Sequence, residues 1–195
     1  LAHLVALARQ MPESRGPGGP TQRAGDRARL ANTLLRDEMR ERNNYYPEIE
    51  AAARRVLTAV GYAGHGPISE RLLHDMVRHF GFRVERVHGM PRSARSVTDQ
   101  RERVIYIPAR DDLRVRQARS VLLQTLGHFA LDHETTADFG DYLRQRIESN
   151  YFSAAVLAPE APVVAMLLDA KTRKDISIED LKETFYISYE MAAHR

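Results

Sequence analysis

The chain contains neither cysteine nor tryptophan among its 195 residues. Without cysteine it forms no disulfide and offers no thiolate to a metal, which fits a cytosolic protein. No stretch approaches the roughly 18 consecutive apolar residues that a membrane span requires. Residues 1–11 lack the flanks of a signal peptide. We therefore expect a soluble, cytoplasmic protein that makes no contact with a membrane.

An excess of charge of one sign is also missing, since 29 basic residues face 26 acidic ones and the formal net charge is +3. The basic residues are mainly arginines, which suit an anionic partner. Acidic residues alternate with them, as in residues 36–42, and this pattern is typical of a solvated helix face rather than of a nucleic-acid surface. No Gly-rich phosphate loop ending in Lys-Ser or Lys-Thr is present. A phosphorylated small molecule is the better candidate partner.

Apolar spacing and capping residues predict many helices around a small sheet. Helices are expected over residues 1–11, 23–46, 47–62 and 70–80, and strands over 82–87, 94–98 and 103–108, with a hairpin turn at 99–102. A long helix capped by Asp111 or Asp112 follows, and then further helices, two of which begin at Ser177 and Ser188. The fold class is α+β. We divide the chain into a helix with a flexible linker, residues 1–22, and one domain, residues 23–195.

The long helix contains Gln-Thr-Leu-Gly-His at residues 124–128. A zinc peptidase helix has His-Glu-x-x-His, because two imidazoles one turn apart bind the metal and the glutamate activates its water. His128 matches the second histidine, whereas Gln124 replaces the first and Thr125 replaces the glutamate. An amide is a weak zinc ligand, and a threonine hydroxyl is no general base near neutral pH. We therefore expect no zinc and no catalysis.

Two motifs carry a family resemblance. Residues 124–133 are Gln-Thr-Leu-Gly-His-Phe-Ala-Leu-Asp-His, and residues 148–159 are Glu-Ser-Asn-Tyr-Phe-Ser-Ala-Ala-Val-Leu-Ala-Pro. In this order, behind three strands, they resemble the ImmA/IrrE family of bacterial metallopeptidases over about residues 47–195. The resemblance implies a zincin-derived, mostly helical fold whose small three-stranded sheet packs on the degenerate helix. Residues 64–195 would form the degenerate peptidase-like unit, with residues 23–63 as added helices.

The family resemblance also implies a third zinc-ligand position near Glu148. His133 lies five residues after His128. In a continuous helix this spacing separates the two side chains by about 140° around the axis. We therefore expect that His133 does not easily replace the missing ligand at Gln124.

The closing residues 188–195, Ser-Tyr-Glu-Met-Ala-Ala-His-Arg, together with the degenerate helix, are similar to the short-chain fatty-acyl transcriptional regulators. That family includes regulators of propionate catabolism. Membership implies a sensing domain that binds coenzyme A or an acyl-CoA, such as propionyl-CoA, as an allosteric effector. It also implies a homodimer, and a DNA-binding helix-turn-helix and iron–sulfur cysteines outside this segment.

The residues predicted to bind the acyl-CoA are Arg27, Arg55, Tyr106, Gln124, His128, Tyr151 and Phe152. Arginine pairs with phosphate oxygens and stacks on adenine, which favours Arg27 and Arg55. Gln124 and His128 would offer neutral hydrogen bonds, and the aromatic residues would provide flat or apolar walls. Each residue also has an ordinary alternative, namely a solvated arginine, a core histidine or a packed ring.

Two other functions stay open from the sequence. One is an active ImmA/IrrE-type zinc endopeptidase, which would bind stoichiometric metal. The other is a dimerisation or scaffold domain with an empty cavity, which would bind neither metal nor effector. The residues at positions 124 and 125 argue against the first, whereas little in the sequence argues against the second.

Overall fold

The computed structural model describes residues 20–91, 93–109 and 115–195, without the side chains of residues 20–24, 26–28, 115 and 116. The helix predicted over residues 1–11 and the linker after it lie outside the described residues. The same is true of Asp111 and Asp112, the two proposed helix caps.

The described residues form helices around one small sheet, which confirms the predicted α+β class. The helices are α1 (Pro20–Glu41), α2 (Pro47–Ala59), α3 (Glu70–His79), α4 (Val115–Ala130), α5 (Phe139–Leu157), α6 (Glu160–Arg173), α7 (Ile178–Phe185) and α8 (Tyr189–His194). The strands are β1 (Arg83–Val87), β2 (Val97–Asp99) and β3 (Val104–Pro108).

The central strand of the sheet is β3, which pairs with β1 in parallel and with β2 in antiparallel orientation. Its residues are buried except for Tyr106 and so form part of the core. The predicted turn between β2 and β3 is confirmed, and the Asp99 carboxylate closes it by accepting hydrogen bonds from the backbone N–H groups of Arg101 and Glu102. The strand predicted over residues 94–98 is displaced, since β2 begins only at Val97.

Side-chain caps fix where several helices begin. The hydroxyls of Ser69, Ser177 and Ser188 accept backbone hydrogen bonds at the starts of α3, α7 and α8, as the sequence predicts. Asp138 does the same for α5, accepting from the Asp141 N–H at 3.0 Å. The Asp138 cap sets the start of the helix that carries Glu148.

The turn from α3 into β1 is closed by a side chain from the β2–β3 turn. Gly81 adopts φ +74°, a conformation that favours glycine after a helix. The guanidinium of Arg103 donates to the carbonyl oxygens of Phe80 at 2.7 Å and of Gly81 at 3.2 Å. It also stacks over the Phe82 ring, 4.1 Å from the centroid. The sheet is thereby joined to the end of α3.

The core is built on the close approach of α4 and α5. Leu126 and Phe152 are fully buried. Gly127 makes the approach possible, because a Cβ there would lie 3.2 Å from both the Phe152 ring and the Ser149 Cα. This contact brings the degenerate helix against the motif around Glu148.

The outer helices are less buried. On α1 Leu35 is buried, whereas Leu30 and Leu34 are 59% and 60% exposed. On α6 only Val163 and Ala170 are buried. Within the described residues no single helix is long and apolar enough to cross a membrane; α5 and α6 together meet that test of length and composition, but they are bent by 64°.

Candidate functional site

Gln124 occupies the position of the first metal-binding histidine, and its side chain is directed along its own helix. The amide nitrogen donates to the Ser120 hydroxyl at 3.2 Å. Ser120 in turn contacts the Ser153 hydroxyl on α5 at 3.3 Å. This short chain of hydrogen bonds joins α4 to α5. Gln124 is therefore held by neighbouring hydroxyls, although it is only partly buried.

Thr125 occupies the position of the general base. Its hydroxyl donates to the Val121 carbonyl oxygen at 3.0 Å, one turn earlier in the helix. Because that bond uses the only proton of the hydroxyl, the Ser96 hydroxyl is the donor in the 2.8 Å contact between the two side chains. The position therefore holds a structural hydrogen bond between α4 and the segment before β2.

His128 belongs to a chain of three polar side chains. Its Nδ1 lies 3.0 Å from the Nδ1 of His133, whose Nε2 lies 2.8 Å from Oε2 of Glu148. The expectation that His133 lies far from His128 was wrong, because it assumed a continuous helix. The helix ends at Ala130, and Asp132 adopts the left-handed conformation at φ 52°. The chain therefore turns back and returns His133 to the site.

The hydrogen-bond roles in this chain follow from the carboxylate. Ionised Glu148 can only accept, so Nε2 of His133 donates to it. In a neutral His133 the Nδ1 is then an acceptor, and His128 donates to it through its own Nδ1–H. Burial lowers the pKa of His128, and the neighbouring His133 lowers it further. The geometry thus favours a neutral His128 that is oriented by His133.

The family zinc site does not fit these residues. One of its three protein ligands would be Gln124, an amide that binds zinc weakly and already donates to the Ser120 hydroxyl. Over residues 20–91, 93–109 and 115–195, no group of three or more His, Cys, Asp or Glu residues has the arrangement of a metal site. We therefore derive no reaction step from zinc.

A solvent-open cleft of about 390 Å³ borders His133 and Glu148. Most of its ionisable lining is acidic, and its residues are Asp132, His133, Glu134, Thr135, Thr136, Asp141, Arg144, Gln145 and Glu148. Its one arginine, Arg144, is already paired with Glu38 at 3.1 Å. Such a lining repels phosphate groups, so this cleft does not suit the nucleotide end of coenzyme A.

A second open cleft, of about 450 Å³, lies on α2 and is lined by Ala51, Arg54, Arg55, Thr58 and Ala59. Arg54 is paired with Glu160 at 3.1 Å. Arg55 is exposed and makes no hydrogen bond or ion pair within the described part of the chain. Of the six residues predicted to bind acyl-CoA whose side chains are described, only Arg55 lines either cleft. The small side chains that line this cleft leave open space next to the guanidinium of Arg55.

Tyr151 lies in a closed cluster rather than in a cleft. Its hydroxyl donates to Glu50 Oε1 at 2.8 Å, and Arg195 binds the same carboxylate with two nitrogens, at 2.7 and 2.9 Å. The Nε of Arg195 donates to the Ala158 carbonyl oxygen at 2.7 Å. Burial, and then the hydrogen bond to Glu50, raise the pKa of Tyr151 to about 12. The cluster joins α2, α5 and the residue after α8.

The remaining predicted residues lie apart from one another. Phe152 is completely buried and its ring contacts Gly127, so it fills the core. Tyr106 is half-buried on β3, paired in register with Glu85 on β1. The side chain of Arg27, on α1, lies outside the described residues. The six predicted residues whose side chains the structure describes therefore do not line one cleft.

Sequence reasoning placed His133 on the wrong side of the helix, and it missed Glu50 and Arg195. For His133 the signal was present, because it closes the motif at residues 124–133, but the turn at Asp132 is not visible in a helical pattern. For Glu50 the signal is a carboxylate among alanines on a helix whose neighbours pack closely. Its partner is 145 positions away, and no local pattern reveals such a pairing.

Comparison with known proteins supports the fold. The family model of peptidase M78, described as an IrrE N-terminal-like domain, matches residues 77–195. A solved structure of a Mycobacterium tuberculosis transcriptional regulator is similar, with a TM-score of 0.64 at 22% sequence identity. The match covers 83% of this chain and 50% of that one, so the chain spans half the length of that regulator. No curated protein matches.

Proposed function

Because the chain belongs to the peptidase M78 family of IrrE N-terminal-like domains, we propose that it is a catalytically inactive member that senses an effector for a bacterial transcriptional regulator. The observation that carries the proposal is Thr125. At the position of the general base it has a hydroxyl that donates to the Val121 carbonyl oxygen. The regulator fold of the similar mycobacterial structure supports the same conclusion.

The proposed effector is a short-chain acyl-CoA such as propionyl-CoA, and we place its phosphates at Arg55. Phosphate groups favour a cation without a competing carboxylate, and Arg54 beside it is partly neutralised by Glu160. The cleft at His133 is acidic and repels the same groups. Binding would shift the populations of two arrangements of the domain and so alter the attached DNA-binding part.

Isothermal titration with propionyl-CoA and with free coenzyme A tests the effector. We expect both to bind, and we expect Arg55→Ala to weaken binding by roughly tenfold, the loss typical of one charge-assisted contact. Arg71→Ala is the matched control, since Arg71 is also an exposed helix arginine, 79% exposed and lining neither cleft. An absence of binding by either compound at millimolar concentration would sink the acyl-CoA proposal.

A zinc endopeptidase is the second candidate, because the family model that matches residues 77–195 is that of a peptidase. Elemental analysis of the purified chain separates the two functions. We expect no stoichiometric zinc in the natural sequence and zinc binding in the double variant Gln124→His/Thr125→Glu, which restores His-Glu-x-x-His. Stoichiometric zinc together with cleavage of casein by the natural sequence would show an active enzyme instead.

A further inference from the structure

Arg54 lies beside Arg55 in the cleft on α2, but it is bound to a carboxylate from another helix. Its Nη2 donates to Oε2 of Glu160 at 3.1 Å, and its side chain is 68% exposed. Glu160 is the first residue of α6 and is not among the residues that line the cleft. One arginine of the cleft is thus available to a ligand, whereas its neighbour is engaged by an anion of the protein itself.

The guanidinium groups of Arg54 and Arg55 are the donors that the described lining of this cleft offers to an anion. Ala51 and Ala59 have no polar side-chain atoms. The Thr58 hydroxyl donates its proton to the Arg54 carbonyl oxygen at 2.9 Å. Consecutive helix residues project about 100° apart, so the two guanidinium groups reach the same cleft from adjacent directions. A diphosphate has enough charge and enough acceptor oxygens for both of them.

Glu160 keeps favourable surroundings when Arg54 leaves it. The Tyr45 hydroxyl donates to Oε1 of the same carboxylate at 2.8 Å. The N-terminus of α6 also stabilises a negative charge on the first residue of that helix. An exposed ion pair such as that of Arg54 with Glu160 contributes little. An arginine can bind phosphate through two parallel hydrogen bonds, so exchanging the carboxylate for a phosphate is favourable.

We propose that Glu160 competes with the effector for Arg54, and that Arg54 exchanges this carboxylate for a phosphate when a diphosphate enters the cleft. The inference rests on the proposed function, because it takes the phosphates of the acyl-CoA to lie at Arg55. It adds Arg54 as a second phosphate ligand and Glu160 as an autoinhibitory residue. An anion that reaches only Arg55 leaves the ion pair intact, whereas a diphosphate engages both arginines. The cleft therefore selects diphosphates.

Isothermal titration with inorganic pyrophosphate tests the exchange, because this probe contains the diphosphate alone. Glu160→Gln removes the competing charge and keeps an oxygen that can accept from Tyr45. We expect pyrophosphate to bind about three- to fivefold more tightly to this variant than to the natural sequence. Arg54→Ala is expected to bind it about five- to tenfold more weakly. Circular dichroism checks that each variant is folded.

Glu48→Gln is the matched control, since it removes the same charge from another exposed ion pair. Glu48 is 57% exposed and is paired with Arg42 at 2.8 Å. It lies six residues before Arg54, about 9 Å along the helix axis. Because salt screens exposed charges at this distance, we expect the affinity for pyrophosphate to change by less than about twofold. The double variant Arg54→Ala/Glu160→Gln is expected to bind as weakly as Arg54→Ala, because Glu160 acts through Arg54.

Three results would overturn the inference. The first is an unchanged affinity for pyrophosphate in Glu160→Gln, and the second is an equal gain from this change in the Arg54→Ala background. The third is the absence of pyrophosphate binding up to about 10 mM in both the natural sequence and Glu160→Gln.

Titration of the same proteins with free coenzyme A and propionyl-CoA separates this inference from the proposed function. If both compounds bind equally well to the natural sequence and to Glu160→Gln, the effector is supported and the exchange at Arg54 is wrong. If pyrophosphate alone binds, with the expected changes in the variants, the exchange is supported and the acyl-CoA is wrong.

Discussion

Two polar clusters lie one turn apart on α5, at Glu148 and at Tyr151, and they differ in how far each is enclosed. Around Tyr151, the Glu50 side chain is 3% and the Arg195 side chain 8% exposed, and Glu50 binds both partners. Around Glu148, the carboxylate is 26% exposed and borders an open cleft. The closed cluster therefore holds helices together, whereas the open one has polar groups that a ligand can reach.

The largest expected effect comes from breaking the closed cluster. Glu50→Ala leaves the Arg195 guanidinium and the Tyr151 hydroxyl without their acceptor in a buried place. We expect the free energy of unfolding to fall by about 3–5 kcal/mol, as measured by urea denaturation followed by circular dichroism. Arg54→Ala, which removes an exposed ion pair with Glu160, is expected to cost less than about 1 kcal/mol. Similar losses in the two variants would contradict this account.

An intermediate loss of stability is expected when the close packing of α4 against α5, which supports the open cluster, is disturbed. Gly127→Ala places a methyl group 3.2 Å from the Phe152 ring and the Ser149 Cα, and we expect a loss of about 1–3 kcal/mol in thermal or urea unfolding. Gly25→Ala on α1 meets nothing within 4 Å. Because alanine has a higher helix propensity than glycine, we expect the free energy of unfolding of this control variant to rise by up to about 1 kcal/mol. A stabilising Gly127→Ala would show that α4 and α5 lie further apart.

A smaller effect is expected from the open cluster itself. Glu148→Gln keeps an oxygen that can accept from His133, and the position is partly hydrated. We expect the free energy of unfolding to change by less than about 1 kcal/mol, which is clearly below the loss expected for Glu50→Ala. Urea denaturation of both variants under identical conditions makes the comparison. If Glu148→Gln cost as much as Glu50→Ala, the two clusters would be equally structural.

The smallest expected effect is a dependence of the free energy of unfolding on pH. The pKa of His128 is lower in the folded state than its ordinary value of 6.5, so the unfolded state takes up this proton first as the pH falls. Stability contributed by the neutral ring is therefore complete well above 6.5 and is lost on acidification through that value. Unfolding measured between about pH 5 and pH 7 should depend less steeply on pH in His128→Gln. An unchanged slope would exclude His128 as the group responsible.

Local patterns predicted the helices and their caps well, because capping and apolar spacing act within a few residues. Ser69, Ser177 and Ser188 are examples, as is the turn at Asp99. The replacement of the catalytic residues at Gln124 and Thr125 was equally visible. Each of these features can be predicted from the few residues next to it in the sequence.

Non-local geometry could not be predicted in the same way. The position of His133 beside His128 depends on one residue in the left-handed conformation, Asp132. A helical-wheel projection does not represent such a residue. The pairing of Glu50 with Arg195 joins residues that lie 145 positions apart in the sequence. Phe152 was expected in a pocket but is buried, since the close approach at Gly127 leaves no space beside its ring. Packing decided each of these cases.

The high pKa of Tyr151, about 12, also gives the chain a built-in optical reporter. There is no tryptophan to obscure the absorbance of tyrosinate, and Tyr151 is one of eight tyrosines. On alkaline titration it should ionise late, and its signal should move to lower pH when the carboxylate of Glu50 is released, because the hydrogen bond to that carboxylate raises the pKa of Tyr151. The opening of the closed cluster around Tyr151 can therefore be followed by ultraviolet absorbance without a label.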